Sequence, residues 1–198
     1  MLGDAGGYKD GLCGDTCVFD AAKAKQLIQE GGGLPGGKIT IGYNADTGSH
    51  KAWVDAVCNS INNVLGNNNA CVGDPTGTFA DFRNKITSKQ MTNPFRAGWQ
   101  MDYPLIQDFL QPLYYTNASS NDSHYSNPDF DNLVNQANGA TNTGDAVSKY
   151  QDAEKLLITD MPAIPLWYQN GSAGYSTNLS NVALNPFSVP VYNEIKVK

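Results

Sequence analysis

Between residues 20 and 100, helical and extended periodicities take strict turns, and few folds accept that rhythm. Ala21, Ala24, Leu27 and Ile28 recur at helical spacing behind Asp20, a good N-cap, and Gly31-Gly32-Gly33 ends the run. Ile39, Ile41 and Tyr43 then alternate at period two. Ser49 opens a second helix that carries Trp53, Ala56, Val57, Ile61, Val64 and Leu65, and Gly66 closes it. Cys71-Val72 reads as a short strand. Phe79, Phe82 and Ile86 mark a third helix, and Phe95, Ala97 and Trp99 a strand at period two. Helices between strands imply crossover connections, so the expected class is α/β.

The last of these strands runs into Trp99-Gln100-Met101-Asp102-Tyr103-Pro104. Proline cannot continue a central strand, which puts Asp102 at or just past a strand's C-terminal end. Ligands bind there in open α/β sheets. A carboxylate flanked by rings suits a cationic group. It equally suits the cap of the following helix, and pattern alone leaves both readings open. Trp99 shares its expected face with Phe95, so core and pocket wall both stand for it; Tyr103 is a second candidate wall. Farther on, Ile106, Phe109, Leu110 and Leu113 predict a short helix, and residues 116–127 a polar loop. Asn127 caps a helix with Pro128 in its first turn and Phe130, Leu133, Val134 and Ala137 on one face. Thr143 opens a longer helix. Residues 163–168 read as an edge strand because of Pro165, and residues 182–198 as a tail without clear period.

Several motifs also fall in a telling order. Phe19-Asp20-x-x-Lys23-Ala24-Lys25-x-Leu27-Ile28 comes first, then Trp99-x-x-Asp102-Tyr103-Pro104, Phe109-Leu110 and Asn117. Tyr125-x-Asn127-Pro128-x-Phe130-Asp131-x-Leu133, Tyr150-x-x-Ala153-Glu154-x-Leu156-Leu157 and Pro162-x-Ile164-Pro165-Leu166 follow. This order resembles the C-terminal lobe of the extracytoplasmic oligopeptide- and dipeptide-binding proteins of ABC importers, over residues 18–188.

The resemblance implies a type II periplasmic-binding-protein-like lobe, a mixed sheet flanked by helices, from a longer two-lobed and exported parent. It implies three parts: an irregular Gly/Cys lead-in at 1–17, the ligand-binding lobe at 18–181, and a tail at 182–198 that crosses to the other lobe. By resemblance, Asp102 salt-bridges the α-amino group of a bound peptide and Trp99 lines a side-chain pocket. Many members continue Asp-Tyr-Pro-Asp-Pro, whereas this chain has Asp102-Tyr103-Pro104-Leu105-Ile106, so ligand contacts of the next loop do not carry over. The implied function is capture of peptides for import, without chemistry or cofactor. The implied partners are a peptide or other small solute, the N-terminal lobe of the same parent and the permease subunits. Relatives take nickel chelates, haem, oligosaccharides or antibiotics, so a non-peptide solute is the alternative ligand.

Charge and cysteines narrow the setting. The formal charge of −6 argues against nucleic acid or an anionic membrane surface as partner. No stretch approaches the roughly 18 apolar residues of a membrane span, and Met1-Leu2-Gly3 does not read as a signal peptide. The four cysteines fall in two close pairs, Cys13 with Cys17 and Cys58 with Cys71. Only His50 and His124 are present to help them, and a three-residue gap is not the usual zinc spacing. Two local disulfides are expected, hence an oxidising, extracytoplasmic compartment; buried free thiols are the alternative.

Other chemistry finds little purchase. Gly32-x-x-x-x-Gly37-Lys38 is followed by Ile39 where a phosphate loop needs a hydroxyl, and it precedes a strand instead of following one. No Gly-x-Ser-x-Gly elbow or His-Glu-x-x-His occurs. Asp129 and Asp131 sit where a helix dipole welcomes them. A rival of another class, a secreted hydrolase domain, predicts His50 or His124 beside a Ser or Asp in space. A passive interaction module predicts an exposed apolar patch and no concave site.

Overall fold

The computed structural model describes residues 3–198; Met1 and Leu2, part of the stretch read above for a leader, lie outside them. The chain divides into two compact units: Cys17–Gly98, and the residues up to Thr16 together with Trp99–Lys198.

The first unit is the alternating segment. It contains α1 (Ala21–Glu30), β1 (Ile39–Asn44), α2 (Gly48–Leu65), β2 (Cys71–Thr76) and α3 (Phe79–Thr87). β1 and β2 pair in parallel from Ile39↔Cys71 to Asn44↔Thr76, with α2 as the crossover. The Asp20 side chain caps α1 by accepting from Lys23 N–H. Thr78 and Asp81 form a reciprocal capping box on α3. Gly66 ends α2 at φ 66°, a left-handed conformation that glycine adopts without strain. α2 begins at Gly48 behind Thr47, slightly before the expected Ser49. Tyr43, Val54, Cys58 and Cys71 form the core, and Cys58 on α2 is disulfide-bonded to Cys71 at the start of β2. Beside that bond, buried Asn62 accepts from Cys71 N–H at 2.7 Å and donates to Cys71 O at 3.1 Å, tying the same helix to the same strand. Cys13 and Cys17 are disulfide-bonded as well.

The strand expected at 95–99 shrinks to a single parallel bridge, Gly42↔Phe95. Gly42 N–H donates to Pro94 O and Arg96 N–H donates to Gly42 O, each at 2.8 Å. The approach is close: a Cβ on residue 42 would stand 3.0 Å from Met91 Sδ and 3.4 Å from Phe95 Cβ. β1 ends two residues later, opposite Ala97 in this register, and residues 97–99 are exposed. The period-two pattern there reflects Phe95 packing edge-on against Phe82, with ring centroids 6.3 Å apart, and not a continuing strand.

The second unit packs α4 (Gln107–Tyr114), α5 (Pro128–Asn138) and α6 (Thr143–Asp160). Its core is Ile106, Leu110, Phe130, Val134, Ala137, Tyr150 and Ala153. Asn127 caps α5 by accepting from Asp129 and Phe130 N–H, and Asn142 caps α6 through Asp145 N–H. The N-terminal stretch tucks under this core. Ile106 N–H donates to Gly6 O at 2.7 Å, and Gln151 Nε2 donates to Gly7 O at 3.1 Å.

Residues 163–168 form no strand. An extended segment needs an edge to pair with, and none meets this one in the described structure. Ile164, Trp167 and Tyr168 are left exposed. The tail turns back on itself instead, with β3 (Leu179–Ser180) antiparallel to β4 (Lys196–Val197) and a further bridge Leu184↔Pro190. Among the described residues no helix is long and apolar enough to cross a membrane.

Candidate functional site

Within the second unit an open hollow of about 650 Å³ lies against the start of α4. Trp99, Asp102 and Tyr103 line one side of it, Gln107, Gln111 and Tyr115 on α4 and its end line the floor, and residues 116–120 form the other wall. Trp99, 38% exposed, is thus a wall of this hollow and not a core residue. Asp102 is exposed. It does not cap α4, which begins five residues later behind Ile106. The capping runs the other way: buried Asp108, in the first turn of α4, accepts from Asp102 N–H at 2.8 Å. The backbone that carries the Asp102 carboxylate is therefore pinned by a second carboxylate, while the residue itself is exposed and lines the hollow. Burial holds the Tyr103 hydroxyl above its ordinary value, with Asp108 and Asp102 adding to the effect, so this wall stays a neutral donor at physiological pH.

Neither Asp108 nor the floor amides stood out in the sequence. One spacing carried the signal: Gln107 and Gln111 are four residues apart on α4 and so share a face. The Tyr103 hydroxyl donates to Gln107 Oε1 and Gln107 Nε2 donates to Gln111 Oε1. Asn138 Nδ2 donates to the same Gln111 oxygen at 3.0 Å, and the Tyr150 hydroxyl donates to Asn138 Oδ1 at 2.6 Å. The polar floor is thereby fastened to the helical core.

The opposite wall is fixed by Asn121, buried in a loop that reads as uniformly polar. Its Nδ2 donates to Tyr115 O (3.1 Å) and Tyr125 O (2.8 Å), and its Oδ1 accepts from Tyr125 N–H (3.1 Å) and the Ser123 hydroxyl (3.0 Å). One side chain closes the loop by satisfying four partners. The far end of the loop is tied to α6, where Asp160 accepts from the Tyr125 hydroxyl at 2.6 Å and from Asn127 Nδ2 at 2.8 Å.

Those two hydrogen bonds, the one from Tyr125 first, hold the Asp160 carboxyl below its ordinary range. A carboxylate with a depressed folded-state pKa adds stability above its unfolded value, near pH 4, and that stability is lost as pH falls through the folded value. Thermal unfolding should therefore show the wild type losing stability from about pH 4 downward. Tyr125→Phe, which removes the leading donor, should lose less over the same interval. Parallel pH profiles for the two proteins would contradict this account.

The first unit offers a separate group of polar side chains at the C-terminal ends of β1 and β2. Arg96 Nη1 lies 3.3 Å from Asn44 Oδ1 and 3.3 Å from His50 Nε2, with its guanidinium 5.9 Å from the ring centroids of both Phe79 and Phe82. Burial lowers the Arg96 pKa, yet a guanidinium stays charged in proteins. Asp46 accepts from Asn44 Nδ2 and from Phe79 N–H at the start of α3, and these bonds, Asn44 first, hold its carboxyl below the usual range.

The geometry also decides the His50 tautomer. Arg96 can only donate, so Nε2 accepts and the proton sits on Nδ1, aimed at Thr47 Oγ1 (2.8 Å) and Asn44 O (3.3 Å). A ring that points its proton at a hydroxyl is not placed to activate it. The hydrolase reading thus finds no base at His50. Among the described residues no group of three His, Cys, Asp or Glu is placed to hold a metal ion.

No family model matches the chain. Individual proteins do. It is 26% identical over 192 residues to heme-binding protein A of Haemophilus influenzae, covering 90% of this chain and 33% of that protein. It is 29% identical over 147 residues to the periplasmic oligopeptide-binding protein OppA of Escherichia coli, covering 74% of this chain and 26% of that one. In fold it superposes on Haemophilus influenzae OppA, solved with the peptide RPPGFSPFR, with TM-score 0.73 and 18% identity over 89% of this chain and 34% of the other. Most of these relatives are named as oligopeptide- or dipeptide-binding proteins, the fold is that of type II periplasmic-binding-protein-like molecules, and the chain spans about a third of their length.

Proposed function

We propose that this chain is the C-terminal ligand-binding lobe of an extracytoplasmic solute-binding protein that captures peptides for an ABC importer, with the ligand's amino group held by Asp102. The observation that carries the reading is the setting of that carboxylate. It is exposed, it lines a hollow walled by Trp99 and Tyr103, and its backbone is anchored by a buried acceptor. The relatives named for peptide binding, two of them also named as periplasmic, support the same conclusion. Trp99 and Tyr103 flank the first side chain of the ligand.

The rest of the parent protein supplies the facing lobe. Closure of the two around the ligand is a hinge motion, and it strengthens the carboxylate–ammonium pair by excluding water. Permease subunits then take the closed form. The chain does no chemistry in this scheme. A relative named for haem makes a non-peptide ligand the alternative; of the usual haem ligands the lining of this hollow offers only tyrosine.

Native mass spectrometry of the full-length protein that carries this chain, purified without refolding, tests the ligand class directly. The expected result is one or more co-purified peptides with free amino termini. A co-purified sugar, chelate or tetrapyrrole would overturn the reading.

A further inference from the structure

The orientation of one floor amide has a chemical consequence. Gln111 Oε1 receives two donors, Gln107 Nε2 and Asn138 Nδ2. The two donors sit on α4 and at the end of α5. The oxygen must therefore face them, and the two N–H donors of the same amide are turned away. No hydrogen bond from Gln111 Nε2 occurs among the described residues, and Gln111 lines the hollow. The donor pair is held in place from behind, since the Tyr150 hydroxyl donates to Asn138 Oδ1 and thereby turns Asn138 Nδ2 toward Gln111. Tyr103 does the same for Gln107, whose oxygen it occupies and whose nitrogen it leaves for Gln111. A chain of fixed amides thus ends in two N–H groups at the hollow.

We propose that Gln111 is a specificity-determining residue of this site, donating through Nε2 to a carbonyl oxygen of the ligand's backbone, with Gln107 and Asn138 as the residues that position it. The assignment rests on the reading of the hollow as the place where Asp102 holds an amine. It adds a second requirement: the ligand carries an acceptor as well as a cation, which separates a peptide from a simple amine. Held amides suit this task, because a donor already ordered loses little freedom on binding, and a donor left facing a bound apolar group would be penalised.

The test uses the full-length protein that carries this chain, labelled with ¹⁵N at its glutamine side chains and titrated with tri-alanine, and separately with propylamine as an amine that lacks any carbonyl. Gln111→Glu is the decisive variant. A carboxylate keeps the shape and still accepts from Gln107 and Asn138, while the donor facing the hollow becomes an acceptor. Gln111→Met is the uncharged companion. The expected result is movement of the Gln111 side-chain amide signals with tri-alanine, and weakening of tri-alanine by about three- to tenfold in both variants. Propylamine should bind Gln111→Met as it binds the wild type, and Gln111→Glu at least as tightly. Equal weakening of both probes would assign Gln111 a merely structural part and overturn the proposal. Tri-alanine binding that depends on Asp102 but leaves Gln111 silent would overturn it too, while sparing the Asp102 reading. Failure of tri-alanine to perturb the hollow at all would overturn both.

Discussion

In the full-length protein carrying this chain, Asp102→Asn should weaken a peptide with a free amino terminus by about 1.5–3 kcal/mol, roughly 10- to 150-fold. The substitution preserves side-chain shape. It also preserves the contact that sets the local backbone, because Asp108 accepts from the N–H of residue 102 and not from its side chain. What changes is the charge, so the loss measures a charge-assisted hydrogen bond and not a rearranged loop. The same peptide acetylated at its amino terminus should bind weakly to the wild type and be indifferent to the substitution. Isothermal titration of both peptides against both proteins gives the double difference. A wild type that binds acetylated and free peptides equally would remove the carboxylate from the binding scheme.

Much of this arrangement was legible in residue order. The alternation from α1 to α3 follows from apolar spacing, with Asp20 capping α1 where a short polar side chain before an apolar run should; Asn127 does the same for α5. Asp102, Trp99 and Tyr103 were singled out by a strand pattern running into a proline, and the structure gathers them around one hollow. The pattern misled about the strand itself, because alternation records which side chains are covered and says nothing about whether an edge is available for pairing. Residues 163–168 failed as a strand for the same reason. The break at Gly98–Trp99 between the two units carries no compositional mark either.

The polar residues that shape the site were the least legible. Asp108 and Asn121 are buried because their partners are backbone groups brought near by the fold, and nothing in a neighbouring residue announces that. His50 and Arg96 are 46 positions apart and meet only because β1 and the bridge at Phe95 are adjacent. Apolar periodicity projects one residue onto a face; a hydrogen-bonded group requires several faces to be known together.

The site's rigidity depends in turn on a ring that never touches it. Phe130 is fully buried on α5, among the core side chains that also include Leu110 of α4 and Tyr150 of α6. Tyr125 meets it edge-on, with centroids 5.6 Å apart and planes at 79°. That tyrosine ring packs in turn against Tyr114, at 6.4 Å and 86°. The stack runs from the core to the loop whose Tyr115 end forms part of the hollow. Phe130→Ala should destabilise the protein by about 3–5 kcal/mol, the transfer loss plus an unfilled cavity. Phe130→Leu, which refills most of the volume, should cost about 1.5 kcal/mol or less. Urea denaturation followed by circular dichroism reads both, as a fall in midpoint at unchanged slope. If the alanine variant costs no more than a typical surface substitution, about 0.5 kcal/mol, then Phe130 does not hold α4, α5 and α6 together. The amide floor and the Asn121 loop would then lack the common support that keeps them in register.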